Sequence, residues 1–208
     1  ISFCLADFRT FRTKTEFIDK NNFNKVCEWA KTLKTPGVLV VSQNLLDEIG
    51  GAETNLRNYE NQYRQLIDAL ASSGNDIVSI SGDVHFGRIA TATLGDNSKL
   101  IEIISSPLSN LTGLNGVATD VAKPRPESFP TNIKLNDVQY LNNEYFVSKI
   151  EGSVLTSYPK DRTSEHFMTI GFSKNDHGKI QIYANAWKVR DTLDNGLPIC
   201  DFKMPFIE

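Results

Sequence analysis

The chain has 208 residues, with 22 Lys and Arg against 25 Asp and Glu, for a formal charge of -3. Hydrophobic residues make up 40% and charged residues 23%, ordinary values for a globular protein that leave no basic surplus for a nucleic-acid surface. No run of about 18 apolar residues occurs, so no membrane-spanning helix is expected, and at roughly 150 residues per domain the length suits one large domain or one and a half small ones.

The chain opens on Ile1 rather than Met and enters the apolar run Ile1-Ser2-Phe3-Cys4-Leu5-Ala6 at once. A strand at the first residue carries the expectation that part of the domain lies upstream. Phe3 to Ala6 reads as a buried strand ending in Asp7-Phe8-Arg9-Thr10-Phe11-Arg12. Asn24 to Leu33 reads as a helix, with Val26, Cys27, Ala30 and Leu33 on one face. Pro36-Gly37 punctuates, and Val38-Leu39-Val40-Val41 is an apolar run of strand length. Thr54 to Ser72 gives the clearest helical pattern, because Leu56, Tyr59, Tyr63, Leu66, Ile67 and Leu70 recur at spacings of three and four. Ser73-Gly74-Asn75 stops it, and Ile77 to Ser81 is the next strand. This alternation predicts an α/β layer, with helices packed on a sheet.

The pattern then changes. Arg88 to Leu94 and Lys99 to Ile104 flank the turn residues Gly95-Asp96-Asn97-Ser98, as in a hairpin. Residues 111–137 hold Pro124, Pro126 and Pro130 and little periodicity, which predicts a long irregular stretch. His166 to Ser173 and Lys179 to Val189 predict a second antiparallel hairpin around Lys174-Asn175-Asp176-His177-Gly178. The C-terminal half is therefore expected to be β-rich, and no linker marks off a second domain. Trp29, Tyr59 and Tyr63 are read as core, His166 and His177 as solvated. Cys4, Cys27 and Cys200 are odd in number and widely spaced, so they cannot form a fully paired disulfide framework and read as small buried hydrophobes.

Chemistry is expected at the carboxyl ends of the strands, where open α/β sheets bind ligands. The first strand delivers Asp7, the second Gln43 and Asn44, the third Asp83 and His85, and the strand at 99–104 delivers Ser105-Ser106-Pro107. If these strands share a sheet and a direction, carboxylate, amide and imidazole groups converge on one edge. Hard oxygen donors with a neutral imidazole suit a divalent or trivalent hydrolytic metal, which activates water and neutralises charge on a phosphoryl group. If the stretch stays extended, Asp83 and His85 fall on the same side of it, since period two aligns residues i and i+2. Asp7 and Arg9 read either as a turn or ion pair, or as a phosphate-facing pair.

Four segments in order carry a family resemblance. Asp7-Phe8-Arg9-Thr10-Phe11-Arg12 resembles the Asp-x-Arg-x-x-Arg segment of PhoD-like alkaline phosphatases, a branch of the calcineurin-like metallophosphoesterases. Asn58-Tyr59 with Tyr63-Arg64-Gln65-Leu66-Ile67 resembles that family's aromatic helix with its Arg-x-x-Leu-Leu ending. Ser81-Gly82-Asp83-Val84-His85 is similar to its Ser-Gly-Asp-Val-His motif, and Ser105-Ser106-Pro107 to the Ser-Ser-Pro segment that follows. The resemblance covers residues 1 to about 110 and implies a four-layer αββα sandwich with mixed sheets, of which residues 1–208 form the C-terminal portion. It further implies hydrolysis of phosphate mono- or diesters, with a small phosphoester as substrate. His85 is implied as a metal ligand, with Asp83 as a ligand or as the partner that orients it. Asp7 and Arg9 come across as positioning groups on the catalytic side, and Asn44 joins the metal set from its strand position.

The chain also departs from the family. After Asp83-Val84-His85 the only further Gly-Asp is Gly95-Asp96-Asn97-Ser98-Lys99, and Gly-Asn-His is absent. The Asp-Val-His segment therefore matches a late motif, the early metal ligands are expected upstream of Ile1, and these 208 residues alone are expected to be inactive. Iron, calcium, zinc and manganese all stay open as the metal. Exported relatives make a periplasmic or secreted location compatible with the resemblance, but the compartment stays open. The alternative reading is a non-catalytic interaction or structural domain that keeps the fold without a complete metal site.

Overall fold

In the computed structural model of the chain, the residues described are 1–46, 55–82, 88–105, 134–142, 166–192 and 198–203. The chain forms two compact units, the first built from residues 1–83, 88–104 and 124–142, the second from 84–87, 105–123 and 143–208.

The first unit is a six-stranded mixed sheet with two helices. Its strands are β1 (Ser2–Ala6), β2 (Gly37–Val41), β3 (Ile77–Ser81), β4 (Arg88–Leu94), β5 (Ser98–Ile104) and β6 (Leu135–Asn142), and they lie in the order β1-β2-β3-β5-β4-β6. β1, β2, β3 and β5 pair in parallel, while β4 runs antiparallel to both β5 and β6. The hairpin between β4 and β5 turns through Gly95 at φ +65°, a left-handed conformation that glycine adopts at no steric cost.

α1 (Lys20–Thr32) links β1 to β2, and α2 (Glu60–Ser72) lies between β2 and β3. α1 starts four residues earlier than its apolar periodicity predicts, because the Asp19 carboxylate accepts the Asn22 amide at 3.1 Å and caps a polar first turn. The expected single helix over 54–72 is interrupted. Asn55 caps a short 3-10 turn at Leu56–Asn58 by accepting the Arg57 amide at 2.9 Å, Tyr59 leaves helical geometry, and Glu60 begins α2.

Both helices bury their apolar faces on one side of the sheet. Phe23, Val26, Cys27 and Ala30 of α1 and Tyr63, Leu66, Ile67 and Leu70 of α2 pack over Leu39, Val41, Ile77 and Leu100. Fully burying each such leucine or isoleucine contributes about 1.5 to 3 kcal/mol. An aromatic cluster closes the end of this layer: the Phe17 ring lies 4.7 Å from Phe8, 5.9 Å from Phe23 and 6.0 Å from Tyr59. The buried amide of Gln62 holds the incoming loop, accepting from Phe17 N–H at 2.8 Å and donating to Ile18 O at 2.7 Å. Tyr59 and Tyr63 are core, as expected, whereas Trp29 is half-buried and donates its indole N–H to Ser2 Oγ at 3.0 Å.

The opposite face of the parallel strands is also apolar. The registers align Phe3 with Val38, Val78 and Ile101, and Leu5 with Val40, Ile80 and Ile103. Exposure along it runs from Val38 and Ile103 at 0% to Leu5 at 77% on the outermost strand. Runs without polar alternation are what a parallel sheet shows when both its faces are destined for packing.

The second unit holds β7 (His166–Lys174), β8 (Ile180–Thr192) and β9 (Pro198–Lys203) in an antiparallel sheet of that order. The second hairpin is therefore present as expected, with His177 exposed in its turn. The Tyr183 ring occupies the space that a Cβ on the facing Gly171 would fill, so this position tolerates only glycine without a shift. Two strands lie where none was predicted, β6 and β9; residues 135–137, expected to be irregular, begin β6.

Candidate functional site

The condition set by the sequence is met: β1, β2, β3 and β5 share one sheet and one direction. Asp7, Gln43 with Asn44, Gly82 and Ser105 therefore leave the sheet at its carboxyl-end edge. Asp83 and His85, the candidate metal pair next in sequence after Gly82, lie outside the described residues, as do Ser106 and Pro107.

Asp7 is exposed, and its Oδ1 accepts the amides of Arg9 at 2.8 Å and Thr10 at 3.0 Å. It thus closes an Asx-type turn at the end of β1, the turn alternative of the two readings. The Thr10 hydroxyl, then the Arg9 and Thr10 amides, hold its carboxyl below the usual carboxylate range, so it is ionised at neutral pH. Arg9 is exposed beside it. Arg12 serves the packing of the loop instead. It donates to Phe8 O at 2.9 Å, and its guanidinium lies over the Tyr59 ring. The three polar residues of Asp-x-Arg-x-x-Arg are thereby split, with Asp7 and Arg9 at the surface and Arg12 half-buried.

The turn after β2 is polar yet buried. Gln43 is 3% exposed and Asn44 4%. Ser42 donates its hydroxyl to Gln43 Oε1 at 2.7 Å, which leaves Gln43 Nε2 as a buried donor with no acceptor among the described residues. Asn44 Nδ2 donates to Leu46 O at 3.4 Å, which turns its Oδ1, the atom able to ligate a cation, the other way. Ser81 Oγ, at the last residue of β3, is buried without a hydrogen-bond partner among the described residues.

One residue of this edge escapes sequence reasoning. Glu102, in the middle of β5, is 0% exposed, and its Oε2 accepts the amides of Leu45 at 2.6 Å and Leu46 at 2.9 Å. A single acid inside Leu100-Ile101-Glu102-Ile103-Ile104 was a usable signal, because a central strand covered on both faces tolerates a charge only when it is satisfied.

The described polar side chains of this edge, Asp7, Gln43 and Asn44, carry hard oxygen donors, of which Asp7 Oδ1 is engaged by its own turn and Gln43 Oε1 by Ser42. Among the described residues, no three His, Cys, Asp or Glu side chains group as a metal site. Nor is any described helix long and apolar enough to cross a membrane. Comparisons with protein-family models, with curated proteins and with solved structures found no match for this chain.

Proposed function

We propose that the chain is the C-terminal portion of a metal-dependent phosphoric ester hydrolase of the PhoD-like kind, working at the carboxyl-end edge of the parallel strands. The observation that carries this reading is the parallel alignment of β1, β2, β3 and β5, which delivers Asp7, Asn44 and the segment entering Asp83 to one edge. Within it, His85, Asp83 and Asn44 hold the metal, Arg9 faces the phosphate, and Asp7 positions Arg9 by closing the turn that carries it. The metal supplies charge neutralisation at the phosphoryl group and activation of water. Asn44 contributes a neutral oxygen whose direction is set by its own Nδ2 bond to Leu46 O. Arg9 adds a permanent positive charge for phosphoryl oxygens, next to a carboxylate already committed to its turn.

The finer architecture in this proposal is a four-layer αββα sandwich. What supports it is the second apolar face of the sheet, where Val38, Val78, Ile101 and Ile103 are buried on the side away from the helices. One observation favours the other reading, a domain that keeps the fold without chemistry: the described hydrogen bonds of the Asp7 carboxylate, from the Arg9 amide and from the amide and hydroxyl of Thr10, all stay within its own turn. Hydrolysis of a nitrophenyl phosphate by the full-length protein, with and without chelator, separates the two. Chelator-sensitive turnover supports the hydrolase, and no turnover with any of the four candidate metals refutes it.

A further inference from the structure

The loop after β1 sorts its side chains into two sets. Phe8-Arg9-Thr10-Phe11-Arg12 carries the pair Phe-Arg twice, and the fold uses the members of each pair differently. Phe8 is fully buried, and Arg12 is half-buried, with its guanidinium on Phe8 O and over the Tyr59 ring. Arg9 and Phe11 stand at the surface instead, Phe11 with 67% of its area exposed.

Successive turns fix the backbone that carries these two. Asp7 Oδ1 accepts the Arg9 and Thr10 amides at 2.8 and 3.0 Å, and Arg9 O accepts the Arg12 amide at 3.4 Å. Beyond them, Thr13 Oγ1 accepts the Thr15 and Glu16 amides at 3.3 and 3.0 Å. Phe11 is thus the third residue of a four-residue turn that begins at Arg9. Two residues apart, Arg9 and Phe11 have Cα atoms within about 7 Å of each other, close enough for one small ligand to touch both side chains. Turn positions favour Gly, Asn, Asp and Ser, which suit the backbone or bond to it. A phenylalanine there gains little packing and leaves apolar surface in water. By itself it would be an ordinary exposed residue. Beside Arg9, at the edge where the parallel strands end, it completes a pairing of cation and ring on a backbone already ordered, so a ligand meeting both avoids the cost of ordering the loop.

We infer that Arg9 and Phe11 form the substrate-recognition pair of this edge, which takes a phosphoester whose alcohol part is a flat aromatic ring. Arg9 meets the phosphoryl oxygens, and the Phe11 ring packs against the ring of the ligand. The inference rests on the phosphoric ester hydrolase reading above and adds the class of substrate. The permanent charge of Arg9 selects the anionic end, and an offset or edge-to-face contact with Phe11 selects the aromatic one.

The test measures binding of phenylphosphonate and methylphosphonate to the full-length protein by isothermal titration calorimetry. The two probes share the anionic end and differ in the ring. The parent is expected to bind phenylphosphonate about tenfold more tightly, the order of effect of one ring pair. Phe11→Ala removes that preference and Phe11→Trp retains it, both with the parent's urea unfolding midpoint because the ring is exposed. Arg9→Gln weakens the binding of both anions. Equal binding of the two by the parent, a preference that survives Phe11→Ala, or unchanged binding in Arg9→Gln overturns the inference and leaves the hydrolase reading standing. So does a preference lost only together with stability, because the ring then serves the fold. A parent that binds neither anion overturns it as well, and the hydrolase reading falls with it if nitrophenyl phosphate is not turned over either.

Discussion

The guanidinium of Arg12 lies 5.6 Å from the centre of the Tyr59 ring, joining the loop after β1 to the residue just before α2. The same side chain donates to Phe8 O at 2.9 Å, and Phe8 is fully buried against Phe17. Arg12 therefore belongs to the scaffold, although it is the last residue of the segment that resembles the Asp-x-Arg-x-x-Arg of PhoD-like phosphatases. A cation over an aromatic face contributes about 0.5 to 2 kcal/mol, and one hydrogen bond about 1 kcal/mol. Arg12→Ala is expected to lower unfolding free energy in urea by about 2 kcal/mol. A loss that instead appears as a raised KM at unchanged stability contradicts the scaffold role.

Gln62 is the second test of the scaffold. Its side chain satisfies the amide of Phe17 and the carbonyl of Ile18 from within α2, in a buried setting. Gln62→Leu keeps the volume but strands the Phe17 amide and the Ile18 carbonyl, together with the longer contact from the Ile18 amide, each buried group costing about 1 to 3 kcal/mol. A loss of about 3 kcal/mol is expected in denaturant unfolding. A loss of only a few tenths would mean that water replaces the side chain.

The ionised turn carboxylates predict an acid-side slope. The folded Asp7 carboxyl is held below its ordinary value of 3.8 by the Thr10 hydroxyl and the Arg9 and Thr10 amides, and that of Asp19 by the amide and side chain of Asn22. A carboxyl whose folded pKa is depressed adds stability above its unfolded value and loses it as pH falls through the folded value. Stability should therefore decline as pH drops below 3.8. Asp7→Asn should flatten part of that decline in urea titrations at successive pH values. An unchanged slope in Asp7→Asn would show that the turn does not depend on the charge.

Burial raises the thiols of Cys4 and Cys27 above their ordinary value, with Lys31 opposing weakly at Cys27. The thiolate is the reactive form, so both should be alkylated by iodoacetamide at mildly alkaline pH more slowly than a free cysteine, as read by peptide mass spectrometry. Rapid modification of Cys27 in the native protein would contradict the packing of α1.

The parallel strands were legible because each is an apolar run bounded by turn chemistry, as at Pro36-Gly37 and Ser73-Gly74-Asn75. The boundaries were harder. Lys20-Asn21-Asn22 gives no apolar periodicity, and only the capping bond from Asp19 shows that the helix has begun. β6 was hidden because its alternation breaks where Asp137 takes φ 51° and the register with β4 shifts. Of the candidate site, strand order located Asp7, Gln43 and Asn44, since direction and pairing decide which residues share an edge. It could not reveal that Asp7 is spent on its own turn, or that Gln43 and Asn44 are buried. Glu102 stayed hidden for a related reason: a polar residue in a strand reads as solvent-facing unless both faces of that strand are known to be covered.

The most direct test of the hydrolase reading is His85→Ala in the full-length protein, with metal content and nitrophenyl phosphate hydrolysis measured on the same preparation. Bound metal and turnover are expected to fall together, the metal by elemental analysis and the rate by orders of magnitude. Equal metal content and equal turnover in variant and parent would contradict a metal-dependent hydrolase at this sheet edge.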